Sequence, residues 1–485
     1  MAGLILLGLG PGDPKLLTRE AWEVLSQAEE VVLRTRQHPA VAGFPPGVQV
    51  RALDAFYERA DTFEQVYAAI VQEVLRLAQR PQGVIYAVPG HPLVAEATGR
   101  ALLQRAREQD LEIRVVEGLS FLEPAFRALG VDPFPHTALV DALELAARHT
   151  PSFPPSAPAM IAQLYSREVA AEVKLTLMAN YPDEHPVALV HAAGTPEERV
   201  ERIPLYAMDR SEQIGLLTAL YVPPLAPEAS FETFHEVIAR LRAPDGCPWD
   251  RKQTHKSLRK YLVEETFEAL EAIDNEDWQA LKEELGDVLL QVVLHSQIAW
   301  EEGEFTLPEV IATVTTKIIR RHPHVFGEVQ VEGVEEVLRN WEALKAQERR
   351  EKGQPEHQSA LDGIPKGLPA LMQAETLQKK AAQVGFDWEK VGDVWAKVLE
   401  ELEEVRAAQT PEERAAEMGD LLFAVVNLAR WYGVRPEDAL REANGRFRRR
   451  FQEVERRARA QGRDLREMSL AEMDALWEAA KADGV

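Results

Sequence analysis

The chain has little cysteine and fewer basic than acidic residues, and each scarcity excludes a class of site or partner. Its 485 residues include one cysteine, Cys247, which excludes an intramolecular disulfide and a cysteine-rich zinc site. There are 55 lysines and arginines against 79 aspartates and glutamates, a net charge of −24. Nucleic acid is held by clustered basic side chains. We therefore expect a reducing, cytoplasmic setting and no nucleic-acid partner.

Long apolar runs are missing as well. No stretch reaches the roughly 18 apolar residues of a membrane helix, so we expect no membrane partner. The first residues, MAGLILLGLGPGD, lack a basic start and soon meet Gly-Pro-Gly-Asp. This pattern predicts a buried strand rather than a secretion signal.

Up to about residue 225, short apolar runs alternate with helical patterns. LILLGL, GVIYAV and IRVVEG precede helical periodicity at 18–30, 93–107 and 121–129 respectively. Such alternation predicts an α/β domain with a parallel sheet. The proline-rich segment VPPLAPEAS indicates a domain boundary, so we place the first domain at 1–225.

The remainder of the chain predicts an all-α fold. Helical periodicity dominates in YLVEETFEALEAI and DVWAKVLEELEEV, and strand-like alternation is scarce. The segment EKGQPEHQSALDGIPKGLP divides this half. We therefore predict two helical modules, at 228–352 and 370–485, joined by a linker at 353–369.

The two predicted modules resemble each other. EELGDVLLQVV recurs as AEMGDLLFAVV, EETFE (264–268) as EELEE (400–404), and TTKIIRR (315–321) as NGRFRRR (444–450). Three matches in the same order indicate a duplicated module.

Each module carries paired carboxylates. Residues three apart lie on one helix face, roughly 5–6 Å apart, so Glu265 pairs with Glu268 and Glu284 with Asp287. The short turn containing Asn-Glu-Asp predicts that the two helices pack antiparallel. The corresponding carboxylates of the second module are Glu401, Glu404, Glu417 and Asp420.

Four like charges beside an apolar helix seam need compensation. They would repel one another and lose hydration, so some would stay protonated unless a cation bound. All-oxygen ligation favours Mg²⁺ or Mn²⁺. The alternative is that these are solvated helix faces, but the duplicated, ordered set favours a metal site. Gly286 and Gly419 each cost ~1 kcal/mol in a helix and predict a close helix crossing.

Residues from about 231 to 485 resemble MazG nucleoside triphosphate pyrophosphohydrolases. The resemblance rests on CPWDRKQTHKSLRKYLVEETFEAL, KIIRRHPHVFGEV and GLPALMQAETLQKKAAQVGFDW, besides the repeated carboxylate segments. It implies helical bundles that pair into dimers, Mg²⁺ on the carboxylates, and hydrolysis of (d)NTP to the monophosphate and pyrophosphate. This reaction would remove non-standard or excess nucleotides.

The resemblance also assigns roles to residues. The eight carboxylates would be metal ligands, and basic side chains behind them would hold the phosphates. The family usually has lysine where this chain has Arg446, and Thr315 of the first module stands where the second has Asn444. We expect the second module to be the main catalyst. The candidate catalytic residues are Glu264, Lys317 and Arg321, with Glu400, Glu401, Glu404, Glu417, Asp420, Arg446 and Arg450.

Three glycine-containing turns follow strands of the first domain, in GLGPGDP, VPGHPLVAE and VEGLSFLE. Ligands of open α/β sheets sit at the carboxyl ends of strands, where these turns would converge. The first turn is not a dinucleotide fingerprint, because Asp13 stands at its third glycine position. The turns predict a cleft for a small nucleoside-like ligand.

Residues 1–222 resemble the tetrapyrrole (corrin/porphyrin) methylases through these turns. The resemblance implies an S-adenosylmethionine site, and the chain departs from the family pattern at His91 and at Glu117, so the methyl acceptor stays unnamed. The residues implied to bind the cofactor are Gly8, Gly10, Pro11, Gly12, Asp13, Gly90, His91, Gly118 and Ser120.

The leading hypothesis is therefore a Mg²⁺-dependent nucleoside triphosphate pyrophosphohydrolase with an S-adenosylmethionine-binding domain. We expect a homodimer or a larger homo-oligomer. One alternative is a methyltransferase that uses the helical half as a dimerising scaffold. Another is a nucleotide sensor without turnover.

Overall fold

The computed structural model describes residues 3–59, 62–351 and 359–484, in two compact units. The first unit spans Met1–Lys252 and the second Gln253–Val485. The first unit thus extends beyond residue 225, where the sequence predicts the end of the first domain. The start of the predicted linker, at 353–358, lies outside the described residues.

The first unit opens with a five-stranded sheet in the order β3-β2-β4-β1-β5. Every neighbouring pair is parallel, as predicted. Central strand β1 is almost wholly buried, as its apolar run requires in a sheet covered on both faces. The elements are β1 (Leu4–Gly8), α1 (Arg19–Gln27), β2 (Glu30–Leu33), β3 (Gln49–Ala52), α2 (Phe63–Ala78), β4 (Val84–Val88), α3 (Ala97–Glu108) and β5 (Ile113–Val116).

A second five-stranded sheet follows, in the order β6-β7-β10-β8-β9. Only β6 and β7 pair in parallel, and the other three pairs are antiparallel. The prediction of a parallel sheet is wrong for this part, because β8 returns directly to β9 without a crossover helix. The elements are α4 (Leu122–Leu129), β6 (Ala138–Asp141), α5 (Ala142–Ala146), β7 (Ala159–Ala162), α6 (Arg167–Met178), β8 (Pro186–His191), β9 (Arg199–Pro204), β10 (Thr218–Val222) and α7 (Phe231–Arg242).

The described residues of the second unit form helices, which confirms the all-α prediction. No helix in the described part of the chain has the length and apolar character needed to cross a membrane. The helices are α8 (His255–Asp274), α9 (Trp278–Glu302), α10 (Leu307–Arg321), α11 (Pro323–Phe326), α12 (Val334–Glu351), α13 (Ala370–Gln383), α14 (Val391–Ala407), α15 (Pro411–Trp431), α16 (Pro436–Ala460) and α17 (Leu470–Ala482).

Two hairpins of helices organise this unit. Helix α8 packs against α9, and α14 packs against α15. At the first turn the chain reverses direction at Glu276, which adopts a left-handed conformation (φ 54°). Asp277 then caps α9 by accepting hydrogen bonds from two backbone amides. In the second hairpin Thr410 forms a capping box with Glu413 at the start of α15. Short, well-capped turns hold each carboxylate pair opposite the other.

Helix α16 of the second module reaches the end of α8 in the first. Arg441 lies 3.3 Å from Asp274, and Arg448 lies 3.6 Å from Glu271. Both arginines lie near the carboxyl end of α8, where the helix dipole favours positive charge. The arginine-rich helix therefore links the two modules as well as carrying candidate phosphate-binding residues.

Candidate active sites

The first helical module brings three predicted carboxylates together. Glu265 and Glu268 of α8 meet Glu284 of α9, and one oxygen from each lies within 4.8 Å of the other two. Asp287 stands outside this closest group, although its charge still acts on Glu265. The hairpin therefore assembles the set that the spacing predicts, with Asp287 at its margin.

The second module repeats the arrangement. Glu401 of α14 meets Glu417 and Asp420 of α15, again with one oxygen from each within 4.8 Å of the others. Glu404 lies outside this closest group and feels the charges of Glu401 and Glu417. Glu401 is buried, whereas Asp420 is exposed. The second cluster therefore has one candidate ligand shielded from water and one open to solvent.

Crowding is visible in the pKa values of both clusters. Desolvation raises the pKa of Glu265, and the neighbouring charges of Asp287 and Glu268 raise it further. The pKa of Glu284 is raised in the same way, by desolvation and then by Glu268 and Asp287. Desolvation, followed by Glu401, raises the pKa of Glu404 in the second module. Each shift disfavours the ionised carboxylate, which is the state that a cation would stabilise.

The donor set fits a hard divalent cation. Oxygen Oε2 of Glu401 is buried without a hydrogen-bond partner among the described residues, although burying such an atom is costly. A cation bound by Glu401, Glu417 and Asp420 would satisfy it. The all-oxygen character of both clusters suits Mg²⁺ or Mn²⁺ better than zinc.

A lysine distinguishes the two clusters. Lys397 Nζ lies 2.7 Å from Glu401 Oε1 and 2.9 Å from Glu400 Oε1. These contacts raise the pKa of Lys397, so its ammonium stays charged. In the repeat, Tyr261 stands at the position of Lys397, four residues before Glu265. The second cluster therefore contains a cation of its own, at a position where the first has a tyrosine.

The predicted phosphate-binding residues differ in what they contact. Arg321 donates to both carboxylate oxygens of the buried Glu348, at 3.1 Å and 2.5 Å. Arg446 is exposed and lies 3.4 Å from Glu442, while Arg450 lies over the ring of Trp477. Lys317 is exposed, as are Glu264 and Glu400.

The expectation of a close helix crossing at the repeated glycines is wrong. A Cβ atom added at Gly286 or Gly419 would meet nothing within 4 Å in this chain. The glycines lie instead on outward-facing parts of α9 and α15, both at exposed positions.

Removing one charge tests the first cluster. We expect Glu284→Gln to raise the unfolding temperature of the metal-free chain, because it relieves repulsion, and to reduce the stabilisation that Mg²⁺ provides. Differential scanning calorimetry with and without Mg²⁺ would measure both effects. The exposed Glu304 gives a matched control, and Glu304→Gln should change stability by less than ~0.5 kcal/mol. An identical Mg²⁺ response in both variants would contradict a metal site at Glu284.

The three glycine turns of the first unit converge, as predicted. Gly10 and Gly90 exchange backbone hydrogen bonds of 3.2 and 2.8 Å. A Cβ at Gly8 would lie 2.7 Å from both the Gly90 carbonyl oxygen and the Gly118 nitrogen. These glycines therefore allow the turns to pack on one another, a structural role beside any contact with a ligand.

Other predicted cofactor residues stabilise these turns. Asp13 accepts from the Lys15 amide at 2.9 Å and caps a short helix, and the Gly12 Cβ position faces Thr195 at 2.6 Å. Ser120 donates to Glu123 at 2.6 Å near the start of α4, and His91 Nδ1 accepts from the Leu93 amide at 3.1 Å. Their observed contacts are with the chain itself.

A cleft of about 170 Å³ lies beside these turns, between the two sheets. Pro11 and Gly90 are the predicted residues that line it, and a Cβ at Gly90 would meet nothing closer than 4.0 Å. Sequence reasoning missed the polar lining residues, of which Arg34 directly follows the apolar run of β2. The missed polar residues are Arg34, Glu96, Gln163 and Thr218.

The packing of the turns can be tested apart from any ligand. A Cβ at Gly118 would lie 2.4 Å from the Gly90 carbonyl oxygen, so Gly118→Ala should destabilise the first unit by about 1–3 kcal/mol. Gly215→Ala is the control, because nothing lies within 4 Å of its Cβ position. Equal unfolding temperatures for the two variants would show that the turns do not pack in this way.

Comparison with known proteins assigns the family. Profiles match residues 3–209 (Tetrapyrrole (Corrin/Porphyrin) Methylases), 253–326 (MazG nucleotide pyrophosphohydrolase domain) and 368–447 (Phosphoribosyl-ATP pyrophosphohydrolase). An uncharacterized protein of Bacillus subtilis, YabN, is 45% identical over 99% of this chain and 99% of its own. The MazG nucleoside triphosphate pyrophosphohydrolase of Thermotoga maritima is 47% identical over 52% of this chain and 95% of its own. The chain belongs to the MazG family.

The MazG family relationship covers the helical half. The Escherichia coli nucleoside triphosphate pyrophosphohydrolase is 48% identical over 50% of this chain and 94% of its own length. The residues that match the tetrapyrrole methylase profile precede this half, and the Bacillus subtilis relative aligns with both parts of the chain. Both family resemblances seen in the sequence are thereby confirmed.

Proposed function

We propose that this chain hydrolyses nucleoside triphosphates to the monophosphate and pyrophosphate at its carboxylate clusters. The observation that carries the proposal is the second cluster, where an oxygen of the buried Glu401 has no hydrogen-bond partner among the residues that the structure describes and lies beside Glu417 and Asp420. The pyrophosphohydrolase relatives of the helical half support the same reaction. Its role would be to clear non-standard or excess nucleotides.

In this proposal, acidic residues bind the cation and basic residues bind the phosphates. Mg²⁺ supplies charge neutralisation for the triphosphate and activation of water when it is bound. Glu401, Glu417 and Asp420 hold the cation, with Glu404 beside them. Arg446 and Arg450 of α16 bind the phosphate oxygens, and the ring of Trp477, centred 5.8 Å from the guanidinium carbon of Arg450, helps to position that side chain.

The second module is the main catalyst in this proposal. Its cluster includes the buried Glu401, and α16 carries the exposed Arg446, whose guanidinium lies 3.4 Å from Glu442. In the first module, Arg321 donates two hydrogen bonds to the carboxylate of Glu348. An arginine held in this way is less available to a phosphate.

Matched substitutions in the two repeats test this choice. Asp420→Asn removes a proposed metal ligand. We therefore expect it to lower turnover by more than the roughly 10–100-fold loss that is typical when a residue hydrogen-bonded to a metal ligand is changed. Asp287→Asn should leave a substantial fraction of the activity, since Asp287 lies outside the closest group of the first cluster. Products would be resolved by phosphorus NMR, with folding checked by circular dichroism.

Other outcomes of that experiment have definite meanings. Loss of activity in Asp287→Asn alone would place catalysis in the first module. Full activity in both variants would contradict the carboxylate mechanism. Nucleotide binding without turnover in the unmodified chain would favour a sensor, and diphosphate with orthophosphate as products would contradict pyrophosphohydrolysis.

The first unit offers a second function, S-adenosylmethionine binding in the cleft beside the glycine turns. The specific observation is the open space at Gly90, whose φ of 67° suits glycine, next to Pro11 on the cleft wall. Backbone groups at these two residues fit a nucleoside-like ligand. A methyltransferase with an inert helical scaffold is not favoured, because both carboxylate clusters are assembled.

We further propose that a second copy of the chain covers apolar faces of the helical unit. Apolar side chains on the paired helices are exposed to solvent: Leu285 is 55% exposed, and Val263 and Leu422 are each 53% exposed. Light scattering at micromolar concentration should give a dimer or a larger assembly. Leu285→Glu should shift the mass toward the monomer, whereas Glu304→Gln should not. A monomeric mass for the unmodified chain would contradict this assembly.

A further inference from the structure

A partly buried arginine in the cleft of the first unit has no role in the functions described so far. Arg34 directly follows strand β2, and its side chain is 18% exposed. It lines the cleft on the side of the first sheet. An arginine held this far from water is costly unless its charge and its N–H groups are satisfied.

The guanidinium of Arg34 is partly satisfied. It donates from Nη1 to Glu96, from Nε to the Tyr57 hydroxyl at 2.8 Å, and from Nη2 to the Tyr67 hydroxyl at 3.2 Å. Arginine has five N–H groups. Within the described part of the chain, one N–H on each terminal nitrogen therefore has no bonded partner. Two such groups can bind one carboxylate together.

Glu96 holds the arginine in place, and both of its carboxylate oxygens already accept hydrogen bonds. One of its oxygens accepts from Arg34, while the other accepts from the Thr98 amide at 2.9 Å and from the Thr98 hydroxyl, capping α3. Arg34 and Glu96 are the charged residues lining the cleft, so together they are neutral. A single negative charge can be accommodated beside them, whereas a triphosphate would meet no further cation among the described residues that line the cleft.

Backbone strain accompanies this arrangement. Ala95 and Gln163 both line the cleft with positive φ angles of 51° and 64°, a conformation that non-glycine residues rarely adopt. They face each other from the two sheets, and the Gln163 side-chain amide donates to the Ala95 carbonyl at 3.3 Å. Strained residues held by such contacts cluster at ligand sites.

We infer that Arg34 anchors the carboxylate of a small ligand bound in this cleft. The ligand carries one carboxylate, and the part of it that fills the cleft is about the size of one ring. A cavity of roughly 150 Å³ holds one benzene molecule. The cleft, at about 170 Å³, therefore accepts a ring while its carboxylate contacts Arg34. Phe121 and Val190 provide apolar lining for that ring.

The carboxylate could come from two sources. One is the amino-acid end of S-adenosylmethionine itself, in which case the inference rests on the cofactor proposal. The other is a separate acid bound beside the cofactor, which would be the methyl acceptor or a regulator. Both sources share the contact with Arg34. Neither depends on hydrolysis in the helical unit.

Benzoate and benzamide test the contact, because they have nearly the same shape and differ in charge. In calorimetric titrations of the full chain, benzoate should bind at least 10-fold more tightly than benzamide. Arg34→Met should remove that preference. Arg51→Met is a matched control, since Arg51 also pairs with a glutamate, Glu73 at 2.6 Å, but does not line the cleft.

A second pair of probes distinguishes the sources. S-adenosylhomocysteine carries the amino-acid carboxylate, and methylthioadenosine lacks it. If Arg34→Met weakens only S-adenosylhomocysteine of these two, by roughly 10- to 100-fold, the cofactor supplies the carboxylate. If that variant binds both normally while benzoate binding is lost, a separate acid is the ligand.

Arg34→Met leaves Glu96 buried without its partner, which could unfold the domain. The double variant with Arg34→Met and Glu96→Gln removes both charges and keeps the cleft neutral, so it serves where circular dichroism shows that the single variant is unfolded. Equal binding of benzoate and benzamide by the unmodified chain would overturn the inference. Undiminished benzoate binding in the folded variant would overturn it as well.

Discussion

Mutual repulsion of carboxylates is the constraint around which the helical unit is arranged. Three acidic oxygens within 4.8 Å of one another repel one another when they are charged, and a cation among them would relieve that repulsion. Two helix hairpins, each closed by a short capped turn, hold the acidic side chains in that unfavourable proximity. Apolar packing along the hairpins stabilises the fold despite the repulsion. The hairpins thus place acidic oxygens where the proposed cation would bind.

Much of the helical unit could be predicted from its sequence, because the signals are local. A three-residue spacing places two carboxylates on one helix face, and Asn-Glu-Asp marks the turn that brings the next helix back. The duplicated order of these features is the signal that predicts a site there. The purpose of Gly286 and Gly419 could not be predicted in the same way, since the space around a helix depends on elements distant in sequence.

Several features of the first unit could not be predicted from short sequence segments. Parallel strands separated by helices have a clear sequence pattern, whereas the antiparallel return of β8, β9 and β10 depends on pairings that no short segment specifies. The glycine turns were located correctly, but their tight packing on one another emerges only in three dimensions. Arg34 could not be singled out either, because a lone arginine after a strand has no distinctive spacing.

Lys397 gives the two modules different electrostatic backgrounds. Its ammonium lies against Glu401 in the second cluster, at a position where the first module has Tyr261. The second cluster therefore keeps a covalently attached counter-ion whether or not a divalent ion is present, at a position where the first module has a tyrosine. An arriving divalent cation must in turn displace or share Glu401 with that lysine. Duplication has therefore produced two carboxylate clusters that differ in the side chain lying four residues before the equivalent glutamates, Glu265 and Glu401.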